Sequence, residues 1–443
     1  METLEKAQRM LEKYVLCDHC LGRQFAFLGH GLDNQKRGEA LKLTLTMIGH
    51  QLALSKQKNG LSLLRTLASN GSFEMAVGIL KRMRKKAPEG QQCHLCRGRF
   101  NSIAELAHTP LKKLQNYEYT TFLIGVELPA EVEEREDEFK AEFEVKHGES
   151  MRNHFSREIG KQLSEITKKT ADYKRPDIVI LVKPFTEKAT LQVNPLCIAG
   201  RYRKLVRGIP QSRWICAKCR GRGCSHCNWT GKMYPESIEE IVGVPALEKT
   251  GGEEIAFHGA GREDIDVRML GRGRPFVVEV KKPKRRSIDL SDLAETINKR
   301  AEGKVEVSGL RLASRDVVRR LKRAEAAQKI YRAIVEFDKR VSEEKIALLE
   351  KTLTNALIRQ QTPQRVMHRR ADIIREKYIY EAKVKRLTPN RLEMRIRCQG
   401  GLYIKELITG DDGRTVPNVS KIVYAEAKPL ELDVLGVLVK EET

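Results

Sequence analysis

Eight cysteines arranged as four Cys-x2-Cys pairs constrain this chain more than any other feature. Cys17 and Cys20 stand near its start, and Cys93 and Cys96 recur far downstream. Each pair offers two thiolates to a tetrahedral Zn²⁺, and two pairs complete a closed site. A chain that meets this demand folds the intervening helical segment back until its ends meet. The second set is tighter, Cys216-x2-Cys219-x4-Cys224-x2-Cys227, with glycines between the pairs that permit sharp turns. Four thiolates leave no coordination position for water, so both sets read as structural zinc sites. The alternative for the second is an ordinary set of reduced cysteines in a Gly-rich loop. Disulfides are not expected, because the opening METLEKAQRM is charged from its second residue and carries no secretory signal. Cys197 and Cys398 sit in apolar patterns and read as core.

The apolar periodicity supports an α+β, multidomain chain. Residues 1–97 read as a helical zinc-binding module, with Leu4, Ala7 and Leu11 beginning one apolar face. Residues 98–235 read as an α/β region that includes the 216–227 knuckle. Within it VEEREDEFKAEFEV reads as an exposed acidic connection. Ser150 caps a helix there, with Phe155, Ile159, Leu163 and Ile166 on one face. From 236 to 443 strands surround longer helices. Strands are expected at 274–282 and 304–312, helices at 288–300, 315–334 and 343–359, and a hairpin at Tyr378–Val384 and Asn390–Cys398. No apolar run reaches membrane length, so a cytoplasmic monomer without a membrane partner is expected.

Charge narrows the function classes. Lysine and arginine number 82 against 59 aspartates and glutamates, a net +23 with His neutral. Such an excess favours a polyanionic partner, most simply nucleic acid. Near the second knuckle, Lys218, Arg220, Arg222 and Lys232 are flanked by Trp214 and Trp229. These groups suit RNA phosphate and an exposed base, and equally the two indoles can form a miniature core for the metal loop. Arg315, Arg319, Arg320, Lys322 and Arg323 offer a second basic surface or a solvated helix face.

The chemistry concentrates in HGAGREDIDVRMLGRGRPFVVEVKK, residues 258–282, where Asp264, Asp266 and Glu279 lie among Arg262, Arg268 and Lys281. A short strand, a Gly-Arg-Gly turn and a second strand would bring these groups together. Three readings are open. Asp264 or Asp266 with Glu279-x-Lys281 resembles an Mg²⁺-dependent nuclease, with carboxylates holding the metal and lysine orienting water. Asp264 alone, paired with Arg262 or another nearby cation, can act directly on a nucleoside. The third reading is an ion-pair network on a sheet, which would leave a non-catalytic RNA-binding protein.

The wider segment separates them. Gly261-Arg262-Glu263-Asp264 resembles the Gly-Arg-x-Asp active-site segment of pseudouridine synthases. GREDIDVRMLGRGRPF, RVMHRRADIIR (365–375), GGLYIKELITGDDGRTVPNVS (400–420) and GRYRKLVRGIPQSRW (200–214) are similar to the archaeal tRNA pseudouridine synthase family that isomerises uridines 54 and 55 of the TΨC arm. The resemblance covers essentially the whole chain. It implies a zinc module at Cys17, Cys20, Cys93 and Cys96, a THUMP-like RNA-binding region, and a mixed-sheet catalytic domain. It also implies tRNA as partner and no organic cofactor, since one isomer is converted into another.

By this resemblance Asp264 is the essential carboxylate. Arg262 pairs with it or fills the space left by the flipped uridine. Tyr378 stacks on the base and assists proton removal at C5, with Tyr380 a rival that spacing does not exclude. Tyr403 lines the uridine pocket, and Lys405 or Arg414 contacts the RNA backbone. Asp266, Glu279 and Lys281 become supporting residues.

Overall fold

The computed structural model describes residues 2–29, 31–323 and 327–438, and the chain divides into two compact units, Met1–Asn194 and Pro195–Thr443. The first combines helices with a sheet of β1 (Thr121–Val126), β2 (Thr170–Ala171), β3 (Ile178–Lys183) and β4 (Lys188–Val193), ordered β2-β1-β3-β4. Helix Met151–Thr167 begins at Ser150, whose hydroxyl accepts from the Asn153 amide at 3.2 Å. It buries Phe155, Ile159 and Leu163, while Ile166, in its last turn, is exposed.

Two readings of this region change. The acidic stretch is a helix, Ala130–Glu142, and not an open connection. Val132, Glu136 and Phe139 recur at helical spacing and are buried, with the Glu136 carboxylate against the buried Arg23 guanidinium and 2.7 Å from Lys140. Nor does a boundary fall near 97. Leu95, Cys96, Phe100 and Leu106 share one buried core with Leu11, Phe122 and Phe155.

Both cysteine sets converge, each with its sulfurs within 4.8 Å of one another. Tetrahedral Zn–S bonds of about 2.3 Å require sulfurs about 3.8 Å apart. Cys17 and Cys96 lie at 3.6 Å, Cys216 and Cys224 at 3.9 Å, Cys219 and Cys227 at 3.8 Å, and Cys224 and Cys227 at 3.7 Å. In the second set the amides of Gly223, Cys224 and Gly231 donate to sulfur at 3.2–3.3 Å, as thiolates require. The donor sets therefore fit zinc, whose bonding would close each loop and perform no chemistry. Elemental analysis should find about two Zn²⁺ per chain, one for each closed set of four thiolates; finding none would remove both sites.

The second unit is built on a ten-stranded mixed sheet. Its strands are β5 (Leu196–Lys204), β6 (Glu254–Gly259), β7 (Arg268–Lys281), β8 (Val305–Ala313), β9 (Gln328–Phe337), β10 (Ala356–Gln361), β11 (Ile374–Thr388), β12 (Arg391–Cys398), β13 (Thr415–Val416) and β14 (Ala427–Leu438). The order is β13-β10-β11-β12-β9-β14-β7-β5-β8, with β6 also paired to β7. Because β5 lies between β7 and β8, the division falls at Asn194/Pro195, not at 235, and the 216–227 knuckle belongs to this unit.

The expected hairpin forms as β11–β12, with Leu392, Met394, Ile396 and Cys398 buried. The expected helix 343–359 stops at Leu353, where Asn355 takes a left-handed φ of 55° and β10 begins. Of the expected helix 315–334, the described residues are helical over Arg315–Arg323. Beyond it QKIYRAIVEF, rich in β-branched and aromatic residues, forms β9. Residues 324–326 and the side chains of Lys322 and Arg323 lie outside the described residues. The Gly-Arg-Gly segment is not a turn but an irregularity inside β7. Gly271 has φ 58°, and a Cβ there would fall 2.0 Å from the Leu435 carbonyl. The shift lets one strand pair antiparallel with β5 and then parallel with β14 at Arg268 and Met269.

Candidate active site

Buried cations hold the loop between β6 and β7 that carries Asp264. Lys204, the last residue of β5, is fully buried, and its ammonium donates to the carbonyls of Ile209 (2.7 Å), Ile265 (2.8 Å) and Asp264 (3.2 Å). Arg207 donates to the carbonyls of Asp266 (2.7 Å) and Leu432 (2.8 Å), and to the Asp433 carboxylate at 2.8 Å. Asp433 is itself fully buried and also receives Arg268 and Arg332.

The third anchor lies inside the Gly-Arg-x-Asp segment. Glu263 turns into the core and pairs with Arg274 at 2.7 Å, both side chains essentially inaccessible. Tyr202, buried, donates to the same carboxylate at 2.8 Å, and burial followed by that carboxylate pushes its phenol well up. Arg274 also donates to the Ala260 carbonyl at 2.7 Å. Gly261 has φ 83°, and a Cβ there would crowd Arg274 and Lys329 at 3.1 Å. With Glu263 anchored inward, its neighbours Arg262 and Asp264 both line an open cleft of about 940 Å³.

The Asp264 carboxylate, 38 % exposed, lies 3.2 Å from Arg365 and 3.5 Å from Lys405. Arg365 is oriented by Glu406 at 2.6 Å and lies over the Tyr403 ring at 5.9 Å. Lys405 also binds both oxygens of Asp266, at 2.7 and 2.8 Å. Partial burial opposes charge on Asp266, but the Lys405 contact outweighs it and holds the carboxyl below its usual range. Tyr403 is fixed by Gln360, whose amide accepts from its N–H at 2.8 Å and donates to its carbonyl at 3.0 Å. Its hydroxyl accepts from Arg370 at 2.9 Å.

Asp264, Arg262, Tyr403 and Lys405 thus come together in one cleft. Arg262 lies 5.4 Å over the Trp214 ring, and the cations on Asp264 are Arg365 and Lys405 instead. Tyr378 requires correction. Lys377 lines the cleft, and strand alternation sends Tyr378 to the opposite face, where its ring lies 5.1 Å from Tyr380. Neither tyrosine lines the cleft. Arg414 is also displaced, donating to the Thr362 carbonyl at 2.8 Å and pairing with Asp372 as a brace behind the site.

The residue that sequence reasoning missed is Tyr331 on β9. It lines the cleft with Lys329, two positions earlier on the same strand face. Burial first, then the charges of Cys398 and Asp264, push its phenol well above its ordinary value. Lys-x-Tyr in an alternating strand was the available signal, hidden by assigning the segment to a helix. The nuclease constellation is dispersed: Glu279 contacts His258 at 3.2 Å and Arg315 at 3.3 Å, while Lys281 pairs with Glu254 at 2.9 Å. Among the described residues, the only convergent metal-ligand sets are the two of cysteine.

The Lys204 anchor has a pH signature. Burial lowers its pKa from 10.5 to about 8, with Glu263 and Asp266 opposing in part. Between those values the folded chain binds fewer protons than the unfolded chain, so stability from this group rises with pH and is lost as pH falls through about 8. In thermal unfolding across that window, wild type should gain stability relative to Lys204→Met; parallel curves would contradict the buried charge.

A family model described as "Pus10, C-terminal" matches residues 197–437, and one described as "Pus10 THUMP domain, archaeal" matches 106–183. The chain is 47% identical to a tRNA pseudouridine synthase Pus10 of Methanocaldococcus jannaschii, over 97% of this chain and 93% of that protein. Similar relatives with the same description occur in Thermofilum pendens, 41% identical over 99% and 96%, and in Pyrococcus furiosus, 40% identical over 98% of each. A likeness to a solved Cbf5-Nop10-Gar1 complex, with TM-score 0.29 and 17% identity over 53% of this chain and 47% of that one, is too slight to add to this. From matches that span both units and contain the Asp264 cleft, the chain belongs to the Pus10 family of tRNA pseudouridine synthases.

Proposed function

We propose that this chain isomerises uridine to pseudouridine in tRNA, at position 54, position 55 or both, with Asp264 acting on the nucleoside. The carrying observation is the Asp264 carboxylate at the cleft, in contact with two cations and sharing its walls with two tyrosines. The reaction breaks the N1–C1′ bond and forms C5–C1′, and the C5 proton is released to solvent as N1 gains one. Asp264 can attack C1′, assist a glycal-like intermediate or add to uracil C6. Tyr331, in place of Tyr378, is the phenol suited to stack on the base and relay the C5 proton. Tyr403 bounds the base from the other wall.

A base inside a stacked arm does not reach such a cleft, so it must be flipped out. Arg262, Arg370, Arg375 and Lys377 supply positive charge for the backbone around the extruded nucleotide. The THUMP-matching region supports recognition of the tRNA body by shape and phosphate. The test is release of tritium from tRNA labelled at uridine C5, without added Mg²⁺ or ATP. The expected result is tritium release equal to pseudouridine formed, on RNA of unchanged length. Shortened RNA would support the nuclease reading, and bound but unaltered RNA a non-catalytic binder.

A further inference from the structure

The Cys216–Cys227 knuckle does more than close a loop. Its sulfurs form their own small cluster, and neither nearby tryptophan joins it. Trp214 lines the Asp264 cleft, with its ring edge-on to Tyr234 at 5.5 Å. Trp229 is at the other extreme, 76% exposed. The indoles are therefore not a miniature core for the metal loop.

The exposed indole is held on a rigid backbone. Asn228 and Trp229 take consecutive left-handed φ angles of 48° and 62°, a conformation that large side chains adopt only when the surroundings impose it. The Trp229 amide donates to the Cys224 carbonyl at 2.9 Å, and the Gly231 amide to the Cys227 sulfur at 3.2 Å. A large apolar ring projects into solvent from a turn tied to the thiolates. On the same knuckle segment Lys218, Arg220 and Arg222 are exposed, and residues 210–235 contain no aspartate or glutamate.

We propose that this knuckle is an RNA-reading tip in which Trp229 stacks on an unpaired base of the substrate tRNA, while Lys218, Arg220 and Arg222 take flanking phosphates. The proposal rests on the tRNA reading above. Charge alone would suit any polyanion. The aromatic face selects an unpaired base, because a duplex hides its base faces. Trp214, at the base of the same knuckle, is part of the cleft wall, so the tip is built into the unit that handles the target nucleotide.

The chain has two tryptophans, so Trp214→Phe leaves Trp229 as the sole emitter and Trp229→Phe leaves Trp214. Titration of Trp214→Phe with substrate tRNA should quench Trp229 emission to saturation and shield it from acrylamide. Trp229→Asn removes the ring and tolerates the left-handed backbone. It should weaken tRNA binding about tenfold, and Trp229→Phe by less than about threefold, the range expected for losing or keeping one stacked base. Zinc content at the wild-type level certifies that the Asn variant keeps its knuckle. Indifference of Trp229 emission to saturating tRNA, wild-type affinity in Trp229→Asn, or quenching by anionic lipid vesicles and not by tRNA would each overturn the proposal. Tritium release by the wild-type chain separates the two readings. Release with an indifferent Trp229 leaves the isomerase standing and the tip refuted. Quenching without release leaves the tip standing and refutes the isomerase.

Discussion

Asp264→Ala should lower tritium release from C5-labelled tRNA by about 10⁴-fold or more, the usual cost of removing a group that enters the chemistry. Binding of tRNA should persist, because most phosphate contacts lie outside this one side chain. The substitution also removes a negative charge beside Arg365 and Lys405, so tRNA binding has no reason to weaken. Asp264→Asn is the stricter version, keeping the shape and losing the nucleophilic oxygen pair. Single-turnover kinetics with enzyme in excess would separate chemistry from binding. Turnover in either variant within about a hundredfold of wild type would remove Asp264 from the reaction, since positioning effects alone reach that size.

The second large effect is expected on stability, one residue earlier. Glu263→Gln leaves the Arg274 guanidinium buried opposite a neutral amide, and breaking such a pair costs about 3–5 kcal/mol. For a unit of this size the melting temperature should fall by about 10 °C. Arg274→Met should cost a similar amount, because it strands the Glu263 carboxylate beside Tyr202. The double variant Glu263→Gln/Arg274→Met should be less damaged than the two single losses added together, since neither charge is then left alone. Additive losses in calorimetry would show that the two residues act independently. The same variants should slow isomerisation, because the pair fixes the loop from which Asp264 projects.

The sequence exposed this fold and site unevenly. Cysteine spacing located both thiolate sets because a metal geometry is written in short local intervals. The β11–β12 hairpin was readable because Leu392 through Cys398 alternate cleanly. The Gly-Arg-Glu-Asp segment pointed to Asp264, but nothing local to it reveals that Arg365 and Lys405, more than a hundred residues on, supply its cations. The tyrosine was misplaced for a definite reason. Two tyrosines two apart on β11 share a face, and only the strand's placement in the sheet decides that the face points away from the cleft. Tyr331 stayed hidden because a charged helical pattern precedes β9 with no proline or glycine between 314 and 337 to mark the change. Glu136 and Glu263 were likewise beyond reach, since a buried acid is legible only once its arginine is found.

The last strand of the described residues, β14, is not at an edge. β14 lies between β9 and β7, and removing it would part the sheet into two blocks. One block carries Arg365, Tyr403 and Tyr331, and the other carries Asp264, Arg262 and Trp214. Asp433 on β14 gathers arginines from both. The Asp264 cleft is thus a seam, and its two lips meet only when β14 lies between them. A chain lacking Ala427–Leu438 would hold Asp264, Arg365, Tyr403 and Tyr331 and no assembled site, so competence to alter RNA depends on a strand that carries none of these groups.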